Sequence, residues 1–325
     1  MNNRLTSLEV CAGAGGLALG LEQAGFDPVL LFDIRDAPCE TLRLNRPSWD
    51  IRKMDLLDFD PAEVQHVYDV DLLSAGLPRV KAAAATNRTR GSDIELELLE
   101  ATIMLLHGVQ PRAVLIDNMS ELVTKDEYAG ARNKIEEELE HLGYDSQWLV
   151  VNASDYGVSQ ERKHGVLVAI KSGMSDNFQL PAAQPFPPSV GAVLRESMAS
   201  RGWSDVDAWA AQADRLSPTL VGGSWDRGGP DLGPTGSKRL WAAMGVNGGT
   251  VADFPPGPGF HWAPETGPAG MVQLTVAQVA LLQGFPEDWR FSGKKTSQYR
   301  QVGNAVPPPV GRALGLAIRR GLAGL

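Results

Sequence analysis

The sequence predicts an α/β fold, a doubly wound and mostly parallel sheet that carries a smaller, irregular domain. Three observations predict it. Short apolar runs alternate with helical patterns through the first half, the first run ends in a glycine-rich turn, and a stretch dense in Pro, Gly and Trp breaks the rhythm near residue 172. At 325 residues, 43% hydrophobic and 21% charged, the chain suits one large α/β unit or a main domain with an insert.

The elements follow in order. Leu5–Val10 reads as a buried strand, and Cys11-Ala12-Gly13-Ala14-Gly15-Gly16 as the turn after it. A helix over 17–24, with Leu17, Leu21 and Ala24 on one face, is ended by Gly25. Further strands are expected at 29–32, 70–73, 114–116, 148–151 and 166–170, with helices after Asp33, near 94–109 and at 126–142. Such alternation places ligands at the carboxyl ends of the strands. Between 179 and 270 few segments are periodic, and Pro185-Phe186-Pro187-Pro188 and Pro255-Pro256-Gly257-Pro258 mark loops. The expected domains are therefore 1–175, 176–270 and a return segment, 271–325, that completes the first and closes with a helix over 310–322.

Two cysteines exclude a disulfide framework and a Cys-only zinc site, so no metal is expected. A formal charge of -9 argues against coating nucleic acid through bulk charge but leaves room for a local basic groove. Arg79, Lys81, Arg88 and Arg90 fall together in the loop after Asp71, a pattern that suits a solvated basic loop as well as phosphate contacts. No apolar run approaches eighteen residues, and Met1-Asn2-Asn3-Arg4 leads into a β-like stretch; a cytoplasmic protein without a membrane partner is expected.

In the turn at 11–16, glycines let backbone amides approach a ligand, and the helix that follows favours an anion. Asp33 and Asp55, at the ends of the second and third strands, are placed either to take ribose hydroxyls and an adenine amine or to cap the strand ends.

The turn together with Leu17-Ala18-Leu19-Gly20-Leu21-Glu22-Gln23-Ala24-Gly25-Phe26 resembles the first motif of the cytosine-5 DNA methyltransferases. Three more stretches follow in that family's order. Asn152 through Gln160-Glu161-Arg162 resembles its Gln-x-Arg-x-Arg segment, Leu274-Thr275 through Leu282-Gln283-Gly284-Phe285-Pro286 its ninth motif, and Tyr299-Arg300-Gln301-Val302-Gly303-Asn304-Ala305-Val306-Pro307 its tenth.

The resemblance implies a Rossmann-like methyltransferase that uses S-adenosyl-L-methionine, or retains S-adenosyl-L-homocysteine. Cys11, Ala12, Gly13, Ala14, Gly15 and Gly16 would hold its amino-acid end, Asp33 the ribose, Asp55 and Leu56 the adenine, with Asn304 and Ala305 closing the pocket. Double-stranded DNA is the implied partner and the irregular region the implied target-recognition domain. Ser217-Pro218-Thr219-Leu220-Val221-Gly222-Gly223 resembles the Thr-Leu turn before base-reading loops, although a simple turn uses the same vocabulary. Thr219, Leu220, Arg227, Lys238 and Arg239, with Lys81, Arg88 and Arg90, are the candidates for DNA contact.

The departures cluster on the base side. By the resemblance, a thiolate from a Pro-Cys dipeptide attacks carbon 6 of cytosine while a Glu-Asn-Val glutamate contacts ring nitrogen 3. Here Pro78 is followed by Arg79, a permanent cation that cannot add to a pyrimidine. The triplet reads Asp117-Asn118-Met119, one methylene shorter, and after Arg162 the second arginine is His164. Neither Cys11 nor Cys39 lies on the catalytic loop. The expectation is a divergent member that binds its methyl donor and DNA without performing cytosine-5 transfer alone, serving with a protein partner in a modification or restriction system. Direct methylation of an exocyclic amine, which needs no thiol, is the alternative; a Pro-Pro-Tyr-like box is missing.

Overall fold

The computed structural model describes residues 4–80, 92–171, 177–223 and 229–323. It divides into two compact units, Met1–Val151 with Lys163–Pro181 and Val310–Leu325, and Asn152–Arg162 with Ala182–Pro309.

The first unit contains β1 (Leu5–Val10), α1 (Gly16–Ala24), β2 (Phe26–Asp33), α2 (Asp36–Asn45), β3 (Ile51–Lys53), β4 (Leu72–Gly76), α3 (Ser92–Met104), α4 (Leu106–Val109), β5 (Ala113–Met119), α5 (Ser120–Thr124), α6 (Ala129–His141), β6 (Tyr144–Asn152, whose last residue belongs to the second unit) and β7 (Lys163–Lys171). Among the described residues the strands form one seven-stranded sheet in the order β3-β2-β1-β4-β5-β7-β6. Strands β1 to β5 pair in parallel, because each is followed by a helix or loop long enough to carry the chain back across the sheet. β7 runs antiparallel to β5, so its first residues lie at the edge where the other strands end.

Strand order reverses between β1 and β4, the switch point at which the loops leaving neighbouring strands part company. Val10 pairs with Ala75, Gly76 with Asp117, and Met119 with His164. Asp117, Asn118 and His164, with the segment that carries Arg79, are thereby brought to one sheet edge. Beneath it, Leu8, Val10, Leu30, Leu73, Val114, Ile116 and Leu167 are almost fully buried and form part of a single apolar cluster. Burial of this size, at about 25 cal/mol per Å², is what holds the edge rigid.

The second unit holds α7 (Val190–Ala199), α8 (Val206–Gln212), α9 (Thr235–Ala243), α10 (Val276–Leu282) and α11 (Lys295–Asn304). Its expected irregularity is corrected to short helices joined by Gly- and Pro-rich loops, each too brief to show periodicity against that background. Isolated bridges replace a sheet there among the described residues. The expected return at 271 is also corrected: 271–309 belong to the second unit, and the chain rejoins the first at Val310, inside α12 (Pro308–Leu322). Gly311 lies against the Leu17 carbonyl, Gly315 against Ala24, and the Arg319 guanidinium donates to the Ala24 carbonyl at 3.2 Å. Small residues at these positions let α12 lie directly on α1. Among the described residues, no helix is long and apolar enough to cross a membrane.

Candidate functional site

The turn after β1 is held open by backbone conformation. Cys11, Gly13 and Gly15 have φ of 50°, 56° and 85°, a left-handed sequence that turns successive amides toward one side. The Ala12 amide donates to Phe32 O at 3.0 Å, and the Gly13 amide to Asp33 Oδ2 at 3.0 Å. A Cβ added at Gly13 would meet nothing within 4 Å, so there is open space beside the turn.

Asp33 accepts two amides, from Gly13 and, on Oδ1, from Arg35 at 2.9 Å. A carboxylate has about four acceptor sites, which leaves capacity for a ligand's hydroxyls. Burial raises its pKa above the ordinary carboxylate value, against the lowering effect of those amides. Asp55 caps a short 3-10 turn, Leu56–Asp58, by accepting the Leu57 amide at 3.1 Å. Leu56 is buried, whereas Ile34 is 54% exposed beside Asp33 and offers an apolar surface. The Cys11 thiol is pushed up to about 12, first by burial and then by the charges of Asp33 and Asp55. It is therefore no nucleophile. Open space beside a left-handed glycine turn, with a carboxylate that keeps free acceptor sites, fits a nucleoside-bearing ligand. Among the described residues, no cluster of His, Cys, Asp and Glu could hold a metal.

Glu9, on β1 immediately before this turn, went unnoticed as a titrating group. Its carboxyl is buried and accepts from Ser7 Oγ at 3.1 Å, and desolvation raises its pKa to about 8. The sequence signal was available, an acid inside an otherwise apolar strand.

At the other half of the edge, polar groups are turned back on the protein. Asn118 clasps the loop after β4 from both sides: its Oδ1 accepts the Val80 amide at 3.1 Å, and its Nδ2 donates to the Pro78 carbonyl at 3.2 Å. Val80 is buried, and Arg79 is exposed between the two residues that Asn118 holds. Asp117 Oδ1 accepts from His164 Nδ1 at 2.7 Å, with the two side chains 11% and 1% exposed.

Arg162, expected on the base side, is held by backbone carbonyls. Within the second unit it is 2% exposed, and Nη1 donates to the carbonyls of Leu220 and Gly303 at 3.0 and 2.9 Å. Thr219 and Leu220, expected as DNA contacts, are anchored to the segment at 160–161. Thr219 Oγ1 donates to Glu161 O at 2.7 Å, and Leu220 is fully buried with its amide on Gln160 Oε1 at 2.7 Å. Gln160 Nε2 donates to Gln283 Oε1, and Gln283 Nε2 to Val302 O, completing a buried polar network that sequence reasoning missed. Asn304 is exposed and Ala305 buried at the end of α11, where Asn304 packs against Gly222. Lys238 pairs with Asp231 at 3.3 Å, and Arg239 is exposed beside it on α9. Lys81, Arg88, Arg90 and Arg227 lie outside the described residues.

The profile of the C-5 cytosine-specific DNA methylases matches residues 5–218 and 242–320. The chain is 40% identical to the Type II methyltransferase M.NaeI of Lentzea aerocolonigenes, over 98% of this chain and 75% of that protein. It is 38% identical to the Type II methyltransferase M.NgoMIV of Neisseria gonorrhoeae, over 98% of both. In fold it resembles the S. pombe Dnmt2 methyltransferase, with a TM-score of 0.66 at 18% identity, covering 97% of this chain and 99% of that one.

Proposed function

The chain belongs to the C-5 cytosine-specific DNA methylase family, and from that premise we propose that it is a catalytically degenerate member which binds its methyl donor and double-stranded DNA but does not methylate cytosine at carbon 5 unaided. The family uses S-adenosyl-L-methionine, whose sulfonium supplies an electrophilic methyl group. The turn at Cys11, Ala12, Gly13, Ala14, Gly15 and Gly16 would hold its amino-acid end, Asp33 its ribose, Asp55 and Leu56 its adenine, with Asn304 and Ala305 completing the set.

Arg79 carries the proposal. Cytosine attacks a methyl group through carbon 5 only after carbon 6 has accepted an electron pair, and a guanidinium has none to give. Arg79 is exposed between Pro78 and Val80, the two residues that Asn118 holds, and 77–80 contain no cysteine. A cation there suits a phosphate or a base edge, which favours recognition over chemistry. Lys238 and Arg239 on α9 would add phosphate contacts, while Thr219 and Leu220 fix the stem from which a recognition loop extends. Such a protein would act in the cytoplasm as the recognition or regulatory component of a modification or restriction system, through a protein partner.

The test is methyl transfer from radiolabelled S-adenosylmethionine to unmethylated double-stranded DNA, with trapping on fluorocytosine duplexes alongside. Donor and DNA binding without product or adduct is expected. Robust 5-methylcytosine formation by the purified protein would sink the proposal, and methylated exocyclic amines would replace it with the amine route.

A further inference from the structure

We propose that Asp117 and His164 are positioning residues, a closed pair that holds the start of β7 to the end of β5 and stays closed when DNA binds, withholding the carboxylate from a pyrimidine. This rests on the degenerate reading of the Arg79 loop and adds a second block, independent of the missing thiol.

The pair is a product of sheet topology. β7 is antiparallel to β5, with Asp117 opposite Val166 and Met119 opposite His164, so the two side chains meet on the diagonal of one sheet face. A side chain at Gly165 would run into the Met119 carbonyl, so the strands approach closely where the bond forms. A carboxylate can only accept, and His164 Nδ1 therefore donates along the 2.7 Å contact. Nε2 is buried and without a hydrogen-bond partner among the described residues.

Opening the pair would leave the imidazole with both nitrogens unpartnered inside the protein, and His164 is the hydrogen-bond partner recorded for Asp117 among the described residues. The carboxylate's orientation is thus set by β7 rather than by a ligand. Asp117 is also one methylene shorter than glutamate, roughly 1.5 Å of reach.

Two measurements test this on the full chain. With 15N-histidine labelling, the five histidines give few ring resonances, and His164→Gln assigns the one of interest. A His164 Nδ1 proton that persists when unmethylated double-stranded DNA and S-adenosylhomocysteine are added supports the closed pair. One that exchanges or moves on that addition overturns it. In the second measurement, mass spectrometry follows 5-methylcytosine made by Arg79→Cys and by Arg79→Cys combined with Asp117→Glu and His164→Arg. The triple variant is expected to be at least about 100-fold faster than the single one. A single variant within about tenfold of the triple overturns the inference while leaving the degenerate reading intact, whereas methylation by the unaltered protein removes that reading itself.

Discussion

Along one sheet edge, the groups after β1 and β2 keep hydrogen-bonding capacity open, while those after β4 and β5 are bound back into the protein. Asp33 uses part of its acceptor capacity on the Gly13 and Arg35 amides and faces a turn with space beside Gly13. Asp117 has one oxygen tied to His164, and Asn118 spends its amide on Pro78 and Val80. The same scaffold supports both states because the strands that carry them are rigid and buried. The difference teaches that donor binding and base chemistry are separable on this fold: a change confined to β4, β5 and β7 need not disturb the turn after β1.

The largest effect expected from breaking that contrast is at Asp33. Asp33→Ala should weaken S-adenosylhomocysteine binding by about 100-fold, roughly 2.7 kcal/mol, in a calorimetric titration. Unchanged affinity would mean that the open carboxylate is not the donor's partner. Next comes Asn118→Ala, which removes the bonds to Val80, Pro78 and the Met119 amide at 2.9 Å. It should cost about 2 kcal/mol in denaturant unfolding while leaving donor affinity within about threefold. A loss of donor binding as large as that of Asp33→Ala would show that the two halves are coupled after all.

A third test of the contrast is a pH slope from Glu9. Its folded pKa is raised to about 8 by burial, so the native state favours the protonated acid. The associated stability is fully present below the unfolded value near 4.5 and is lost as pH rises through about 8. Glu9→Gln should flatten that decline, by at most about 1.4 kcal/mol per pH unit, in thermal or denaturant melts between pH 5 and 8. An unchanged slope would assign the titration to another group.

The first strand, its turn and α1 were legible because their signals are local: an apolar run, three glycines and a helix ended by Gly25 at φ 96°. The strand end carrying Asp33 was legible for the same reason, whereas β3 is too short to show a pattern and Asp55 caps the 3-10 turn beyond it. Strand direction was not, since β7 pairs antiparallel through contacts far apart in sequence. That register alone joins Asp117 to His164, and it turned two separate departures into one feature. Likewise nothing local in the sequence joins Arg162, Gln160 and Gln283, which the fold buries against Leu220, Val302 and Gly303. The helix over 94–109 was expected as one element; it breaks between α3 and α4, and the end at Val109 is followed by Gln110 at φ 55°. Propensity marks helix-forming residues but not the point at which packing stops the helix.

Where Gly222 crosses α11, a Cβ on it would strike the Arg300 carbonyl, and one on Gly303 would strike the Gly222 amide. Two main chains touch there with no room for anything larger than hydrogen. A side chain at either glycine would therefore have to push the two backbones apart, so the segment that runs through Gly222 is fixed in place by the absence of two methyl groups.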